Sequence, residues 1–443
     1  MTLTGLDSGE ALVRRVRGVV ANELATRVGE TQRVTGRRLD QDDQAVLARS
    51  LIDEELERHA QDCMTSRRPV LDEIVERTVA QSVFDHIFQL GRLQPLLDDS
   101  SVTNIVANGF DQVFVEHADG TKRIGPPVAA SDADMIELLR EIGRRHGLSE
   151  REFNPTKPLL NLQLPGGSRL FAIAWVCDRP CLAIRRHRFL RTTLREMAES
   201  LHAIDRGLWS FLAAAVKARK QLMIAGATGA GKTTLLRALA SEIPPEERIV
   251  TIETELELGL NRFPDLHPDC VALEAREANV EGVGEITAAD LVKASLRMNP
   301  DRVIVGEVRG AEVIPMLNAM SQGNDGSMCT IHADSSATVF NKIALYALQS
   351  PERLPMEATN LLAASAIDLL VFIAKARSGR FVSSVRQVLH AEGNRVTTNE
   401  LFKPGHDGRA VPGTPIPVDL IDELVVHGYD PAFHQKSDGW WSR

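Results

Sequence analysis

The chain has no surplus of positive charge: 60 acidic against 51 basic residues leave a formal net charge of -9 over 443 residues. A protein whose main business is coating nucleic acid needs a broad basic face, so that class is disfavoured, although a local basic groove is not. Cysteine is scarce. Cys63, Cys177, Cys181, Cys270 and Cys329 are odd in number and scattered, which argues against a disulfide scaffold and points to a reducing compartment. No second cysteine or histidine pair lies near Cys177 and Cys181 at ligand spacing, so core packing accounts for that pair better than zinc. Long apolar runs are missing too. The most apolar window, Ala358–Ala374, is broken by Asn360 and Asp368, and is too short and too polar to span a bilayer. Charges throughout the amino terminus predict no signal peptide.

What remains is a globular composition, with 43% hydrophobic and 25% charged residues, in a chain too long for one ordinary core. Two or three domains are expected. The strongest local signal is Gln221–Ser241, QLMIAGATGAGKTTLLRALAS, where an apolar run meets a glycine-rich turn and then a helical pattern. It matches G-x-x-x-x-G-K-[ST] in full, a P-loop. Gly226, Gly229 and Gly231 let the backbone curl so that its N–H groups converge on phosphate oxygens. The helix beginning near Lys232 points its positive end at the same charge. Lys232 adds a mobile cation, and the Thr233 hydroxyl suits Mg²⁺, which prefers hard oxygen ligands. A glycine turn that merely links strand to helix is the bland alternative, and the complete motif in its strand–helix context disfavours it.

In chain order, helical spacing of Leu12, Val16, Val19, Val20, Leu24 and Val28 predicts a first helix, and Leu47, Leu51, Ile52 and Leu56 predict a second. A third runs through Leu71, Ile74, Val75, Val79, Val83, Ile87 and Leu90. From about Leu90 the texture changes to short alternating runs, with strands expected at Val102–Ala107, Gln112–Glu116, Ser168–Val176 and Cys181–Arg185 and a helix at Asp132–His146, an α+β domain. After Phe189 a helical connection leads to the P-loop strand. Further strands are expected at Arg248–Glu253, Arg302–Glu307 and Ser327–Ala333, with helices at Ala288–Met298 and Ala311–Gln322. This alternation means a parallel sheet with crossover helices. A helical region including Pro351–Asp368 then precedes a hairpin around Phe381–His390 and Arg395–Phe402. The expected domains are 1–68 helical, 69–190 α+β, 191–205 linker, 206–403 nucleotide-binding with C-terminal helices and hairpin, and 404–443 a loosely held tail.

Three constellations fall at ends of the expected strands, where open parallel sheets bind ligands. Glu307 closes VIVGE, where a carboxylate can hold Mg²⁺ through water or polarise the attacking water. Glu253, Glu255 and Glu257 follow TIE, and alternation places all three on one face of an extended segment. One of them can serve as the base, against the alternative of a solvated edge. His332 lies next to the end of SMCTIHA, where an imidazole can donate to transferred phosphate or be merely structural. In the α+β domain, Arg169 and the group Arg185, Arg186 and Arg188 read by themselves as a solvated basic rim.

Together, GATGAGKTT, TIETELEL, LRMNPDRVIVGEVRGAE and GSMCTIHA, in this order and spacing, resemble the Walker A, Asp box, Walker B and His box of the type II/type IV secretion ATPases. SVTNIVANG, LPGGSRL and AIRRHRF resemble the amino-terminal domain of that family. The stretch from HPDCVALEAREANVEGVGEITAADL to RVIVGEVRGAE looks most like the CpaF-like branch that serves Flp/Tad pili. The likeness runs from about Leu90 to Phe402. It implies a RecA-like P-loop core behind an α+β domain, forming a homo-hexamer in the cytoplasm. That ring would dock on the inner face of the membrane against a polytopic platform protein and hydrolyse ATP with Mg²⁺. No stable nucleic-acid partner is expected. Residue by residue, Gly226, Ala227, Thr228, Gly229, Ala230, Gly231, Lys232, Thr233 and Thr234 take the Walker A role. Glu307 takes that of Walker B, with metal contact through water beside Thr233, and His332 that of the His box. Arg169 and Arg185 match arginines that reach the nucleotide from the amino-terminal domain. One position departs. The branch reads T-I-E-D where this chain has Thr251-Ile252-Glu253-Thr254, which leaves Glu253 as the base, Glu255 one position from compensating, and a slower or partner-dependent ATPase open. A non-hydrolysing nucleotide-bound scaffold and a nucleic-acid motor on the same core are the alternatives. Turnover with and without single-stranded DNA separates them.

Overall fold

The computed structural model describes residues 3–36, 39–146, 152–164, 167–186, 191–276, 278, 283–376 and 379–435. The chain divides into two compact units, Met1–His187 and Arg188–Arg443.

The first unit opens with three helices, α1 (Leu3–Thr35), α2 (Gln41–Thr65) and α3 (Glu73–Phe88). Asp40 and Asp72 cap the second and third by accepting the N–H groups of Asp43 and Val75, which satisfies donors that a helix start leaves open. Leu12, Val16, Val20 and Leu24, four residues apart, form one buried stripe of α1 and pack with Leu51, Ile52, Leu56, Val79, Val83 and Phe84. The helix expected within the α+β domain thus completes a three-helix cluster instead, because its apolar face matches that stripe. The short α4 (Gln94–Asp98) leads into strands β1 (Val102–Asn108), β2 (Val113–His117) and β3 (Lys122–Ile124), then α5 (Asp132–His146), β4 (Leu159–Gln163), β5 (Arg169–Ile173) and β6 (Cys181–Arg185). These make one six-stranded sheet in the order β3-β2-β1-β6-β5-β4, antiparallel at every pairing. Met135, Leu139 and Ile142 of α5 share a core with Ile105, Leu160, Leu170, Leu182 and Ile184.

In the second unit, α6 (Leu194–Glu199) and α7 (Arg206–Lys217) precede β7 (Leu222–Gly226), α8 (Lys232–Ala240), β8 (Ile249–Glu253) and β9 (Cys270–Glu274). Next come α9 (Ala288–Ser295), β10 (Arg302–Val308), α10 (Val313–Ser321), β11 (Met328–His332), α11 (Val339–Gln349) and α12 (Met356–Ala366). The unit closes with β12 (Leu369–Ala376), β13 (Gly379–Glu392), β14 (Arg395–Pro404), β15 (Ala410–Pro412), α13 (Val418–Val426) and α14 (Ala432–Gln435). The nine strands order as β15-β14-β13-β12-β7-β11-β10-β8-β9. From β12 to β9 the pairings are parallel, and beyond β12 the hairpin strands are antiparallel. Every residue of β7 is buried. Leu222 and Ile224 face a core with Phe211, Leu212, Leu235 and Leu239. Met223 and Ala225 face the opposite core with Leu317, Met320 and Ile343. A parallel strand covered on both faces must be apolar throughout.

Two expectations need correction. Residues 191–205, expected as a linker, contain α6, whose Thr193–Glu196 capping box starts it and whose Leu194 and Met197 are buried in the core of the second unit. The tail expected to be loosely held instead places Ile416, Leu420, Leu424 and Tyr429 in that same core, with Tyr429 edge-on to Phe211 at 5.6 Å. In addition, Leu369–Ala376, which follows the expected helical region and for which no element was expected, is the strand beside β7.

Candidate functional site

Gly226 ends β7, and the chain turns through residues 227–231 into α8. Gly229 (φ 71°) and Gly231 (φ 103°) adopt left-handed backbone that a side chain would strain. Lys232 opens the helix and is 9% exposed. Its Nζ donates to the Gly226 and Ala227 carbonyls at 3.2 and 3.4 Å, so the cation lies back over the loop. It also meets Glu307 Oε1 at 3.4 Å. Thr233 and Thr234 follow in the first turn of α8. The loop, the buried lysine and a strand-end carboxylate are thereby brought together.

The carboxyl ends of β7, β11, β10 and β8 are consecutive in the sheet. They carry Gly226, His332, Glu307 and Glu253 in that order, since His332 pairs directly with Gly226 and Glu307 is the penultimate residue of β10. His332 Nδ1 lies 3.5 Å from Thr228 Oγ1, and its Nε2 lies 3.9 Å from Asp334. Glu307 is held on its other oxygen by Arg309, with N–O distances of 2.6 and 2.5 Å. Two oxygens of hard character, the Thr233 hydroxyl and the Glu307 carboxylate, thus accompany the loop, a donor set that suits Mg²⁺.

Glu253 differs from its expected setting. β8 stops at that residue, so Glu255 and Glu257 do not continue a strand face with it. The chain bends back instead. Glu253 Oε2 accepts the N–H groups of Glu257 and Leu258 at 2.7 and 2.8 Å, while Arg237 binds the carbonyls of the same two residues from the other side. Glu253 is only 4% exposed, and its Oε1 has no hydrogen-bond partner. Burial pushes its carboxyl up to about 7, against the two N–H bonds that favour the charged form. Gly306 of β10 leaves room for it: a Cβ there would come within 2.9 Å of Glu253 Cγ.

Arg169 and Arg185 belong to the first unit, where they stand directly opposite each other on β5 and β6. Gln163 pairs with Arg169 on the outer side and Asn104 with Arg185 on the inner. Arg186 is otherwise engaged, donating to the Asp99 and Val102 carbonyls. Arg188 lies outside the described residues. The Cys177 and Cys181 thiols sit against the Ile173 and Arg179 carbonyls, and among the described residues no cluster of His, Cys, Asp and Glu forms a metal-binding group.

Sequence reasoning missed Arg309 and Arg237. Arg309 follows Glu307 by two residues within the Walker B-like stretch and was visible there as a charge partner. Arg237 was hidden, because its contact depends on the bend after Glu253.

Comparison with known proteins bears on these parts. A family model described as type II/IV secretion system protein matches residues 89–371, which spans the six-stranded sheet and the P-loop sheet up to β12. A putative conjugal transfer protein of Mycobacterium tuberculosis is 35% identical over 316 residues, covering 68% of this chain and 85% of that one. The type IV secretion system protein VirB11 of Brucella suis is 32% identical over 328 residues, covering 67% and 89%. Among solved structures, the ATPase DotB of Legionella pneumophila matches with a TM-score of 0.50 at 17% identity, over 69% of this chain and 81% of that one, a likeness of fold. Among the described residues, no helix is long and apolar enough to cross a membrane.

Proposed function

We propose that this chain, which belongs to the type II/IV secretion system protein family, is a Mg²⁺-dependent ATPase with a RecA-like P-loop core. On this proposal it works as a homo-hexameric motor of a pilus or secretion machine of the CpaF-like, Flp/Tad type. It would act in the cytoplasm, at the inner face of the membrane and against a polytopic platform protein. The observation that carries the proposal is the approach of Glu307 to Lys232 at 3.4 Å, where β10 ends beside the phosphate loop. The N–H groups of Gly226–Thr234 bind the phosphates, and Lys232 turns its cation from the loop carbonyls toward the terminal phosphate. Mg²⁺, held by Thr233 and through water by Glu307, would neutralise charge on the phosphate oxygens. Glu253, whose carboxyl titrates near 7, accepts the proton of the attacking water at Oε1. His332, next to Thr228, donates to the transferred phosphate. Arg169 and Arg185 supply fixed cations that stabilise the same charge.

ATP turnover by the purified chain tests the proposal, measured with and without single-stranded DNA. Lys232→Ala should abolish nucleotide binding or hydrolysis, and Glu307→Gln should keep ATP bound while stopping turnover. Unchanged turnover in either variant refutes the assignment, and stimulation by DNA favours a nucleic-acid motor instead.

A further inference from the structure

On one side of β7 lie β11 and the strand-end carboxylates; on the other lies β12, the first strand of the C-terminal hairpin. That hairpin touches all three turn glycines of the phosphate loop. A Cβ on Gly226 would collide with the Ile373 carbonyl, and one on Gly231 would stand 3.3 Å from Arg380 Cδ and 3.4 Å from Ile373 Cδ1. At Gly229 the contact is a hydrogen bond, since Arg380 Nε donates to its carbonyl at 2.9 Å. This bond engages one of the five N–H donors of a guanidinium. Gly226 is therefore required by the neighbouring hairpin.

The hairpin brings charge with it. Lys375 on β12 pairs directly with Arg380 on β13, and both side chains are exposed. Two like charges directly opposite each other across an antiparallel pair repel, and that repulsion is relieved by an anion between or above them. No anion is supplied by the Gly229 carbonyl, but the loop beside Arg380 is built to receive one.

We propose that Lys375 and Arg380 form a cationic subsite for the phosphate chain of the nucleotide, contributed by the β12–β13 hairpin of the same chain that holds the phosphate loop. The inference rests on the nucleotide-binding reading of that loop and adds a third wall to it. It also gives the C-terminal hairpin a direct link to the nucleotide.

Arg380→Gln is the informative variant. Glutamine places an amide nitrogen where arginine has Nε, so the donor to the Gly229 carbonyl is kept while the charge is removed. Equilibrium binding of ADP, AMP and adenosine to the full chain is compared for the parent, Arg380→Gln and Lys375→Gln, at low and high salt. ADP affinity should fall about tenfold in Arg380→Gln and about threefold in Lys375→Gln. The loss should be smaller for AMP and absent for adenosine, with a weaker salt dependence than in the parent. ADP binding by Arg380→Gln equal to that of the parent overturns the subsite and leaves Arg380 as a prop for the loop. A parent chain that binds no ADP overturns the nucleotide-binding reading, and the subsite with it.

Discussion

In the nine-stranded sheet the charged groups stand at the ends of strands that are buried on both faces, each fixed by neighbours in its own unit. In the six-stranded sheet Arg169 and Arg185 also stand at strand ends, where β5 begins and β6 finishes, but side by side across one antiparallel pair. The first arrangement stabilises its charges through internal partners. Arg302, fully buried at the start of β10, donates to both oxygens of Glu247 at 2.8 and 2.7 Å and to the Val216 carbonyl at 2.9 Å. The second arrangement places like charges directly opposite each other, where they repel. Buried ion pairs therefore hold the site's scaffold in one sheet, while the other sets two arginines side by side, the cationic row proposed above to meet the nucleotide.

The largest test of this contrast is stability. Arg302→Met leaves Glu247 buried with only the half-exposed Arg219, at 3.4 Å, to face it. Losing one partner of a buried pair is expected to cost about 3 kcal/mol. Adding Glu247→Leu should recover much of the loss, because the two changes are coupled. Denaturant unfolding reads both. A cost for Arg302→Met within about 0.5 kcal/mol, the range of an ordinary surface change, would erase the distinction between the sheets.

Legibility in the sequence followed the range of the interactions. The P-loop depends on nine consecutive residues, so its spacing carried both geometry and chemistry. Helix α5 and strand β6 were legible to the residue because alternation and helical spacing are local. The register that sets Arg169 opposite Arg185 is set by pairing between strands, and no spacing within either strand reports it. Arg380 was invisible for the same reason, since its contact with Gly229 spans 151 positions. Two local signals were present and overlooked: the Thr193-x-x-Glu196 capping box that starts α6, and the spacing of Leu420 and Leu424 that buries α13. Treating Glu253, Glu255 and Glu257 as one face failed because strand alternation was extended past the bend that Glu253 itself holds.

Glu253 allows a test of smaller size, in which pH is the variable. Its carboxyl is raised from 4.5 to about 7, chiefly by burial. Below 4.5 the group is protonated in the folded and unfolded chains alike and has no effect on stability. Between about 4.5 and 7 the unfolded chain ionises while the folded one keeps its proton, so stability falls as pH rises. Above 7 the whole penalty, about 3 kcal/mol at most, persists. Glu253→Gln removes this titration, so its stability relative to the parent should improve from pH 5 to pH 7.5 and then level off. Parallel profiles in urea unfolding would contradict the buried setting. The same variant should lower the maximal turnover rate with little change in apparent ATP affinity, because a base acts as charge develops. A greater loss from Glu255→Gln or Glu257→Gln would move the base to that residue.

The smallest effect on energy bears most directly on function. If the cationic row of the six-stranded sheet exists to meet a ligand, its removal should spare the fold and harm the reaction, the reverse of Arg302. Arg169→Ala and Arg185→Ala each relieve a like-charge pair, so unfolding free energy should change by no more than about 0.5 kcal/mol. Turnover should nevertheless fall at least tenfold, about 1.4 kcal/mol in barrier height, with ADP binding retained, because a guanidinium that meets the terminal phosphate acts only when that phosphate is present. A motor needs such a contact, made with the triphosphate and lost without it, to turn hydrolysis into movement. Arg169→Lys and Arg185→Lys should restore only part of the rate, since a point charge lacks the planar fork. Near-normal turnover in both alanine variants would reduce the pair to a solvated rim, and the two sheets would then differ in stability alone.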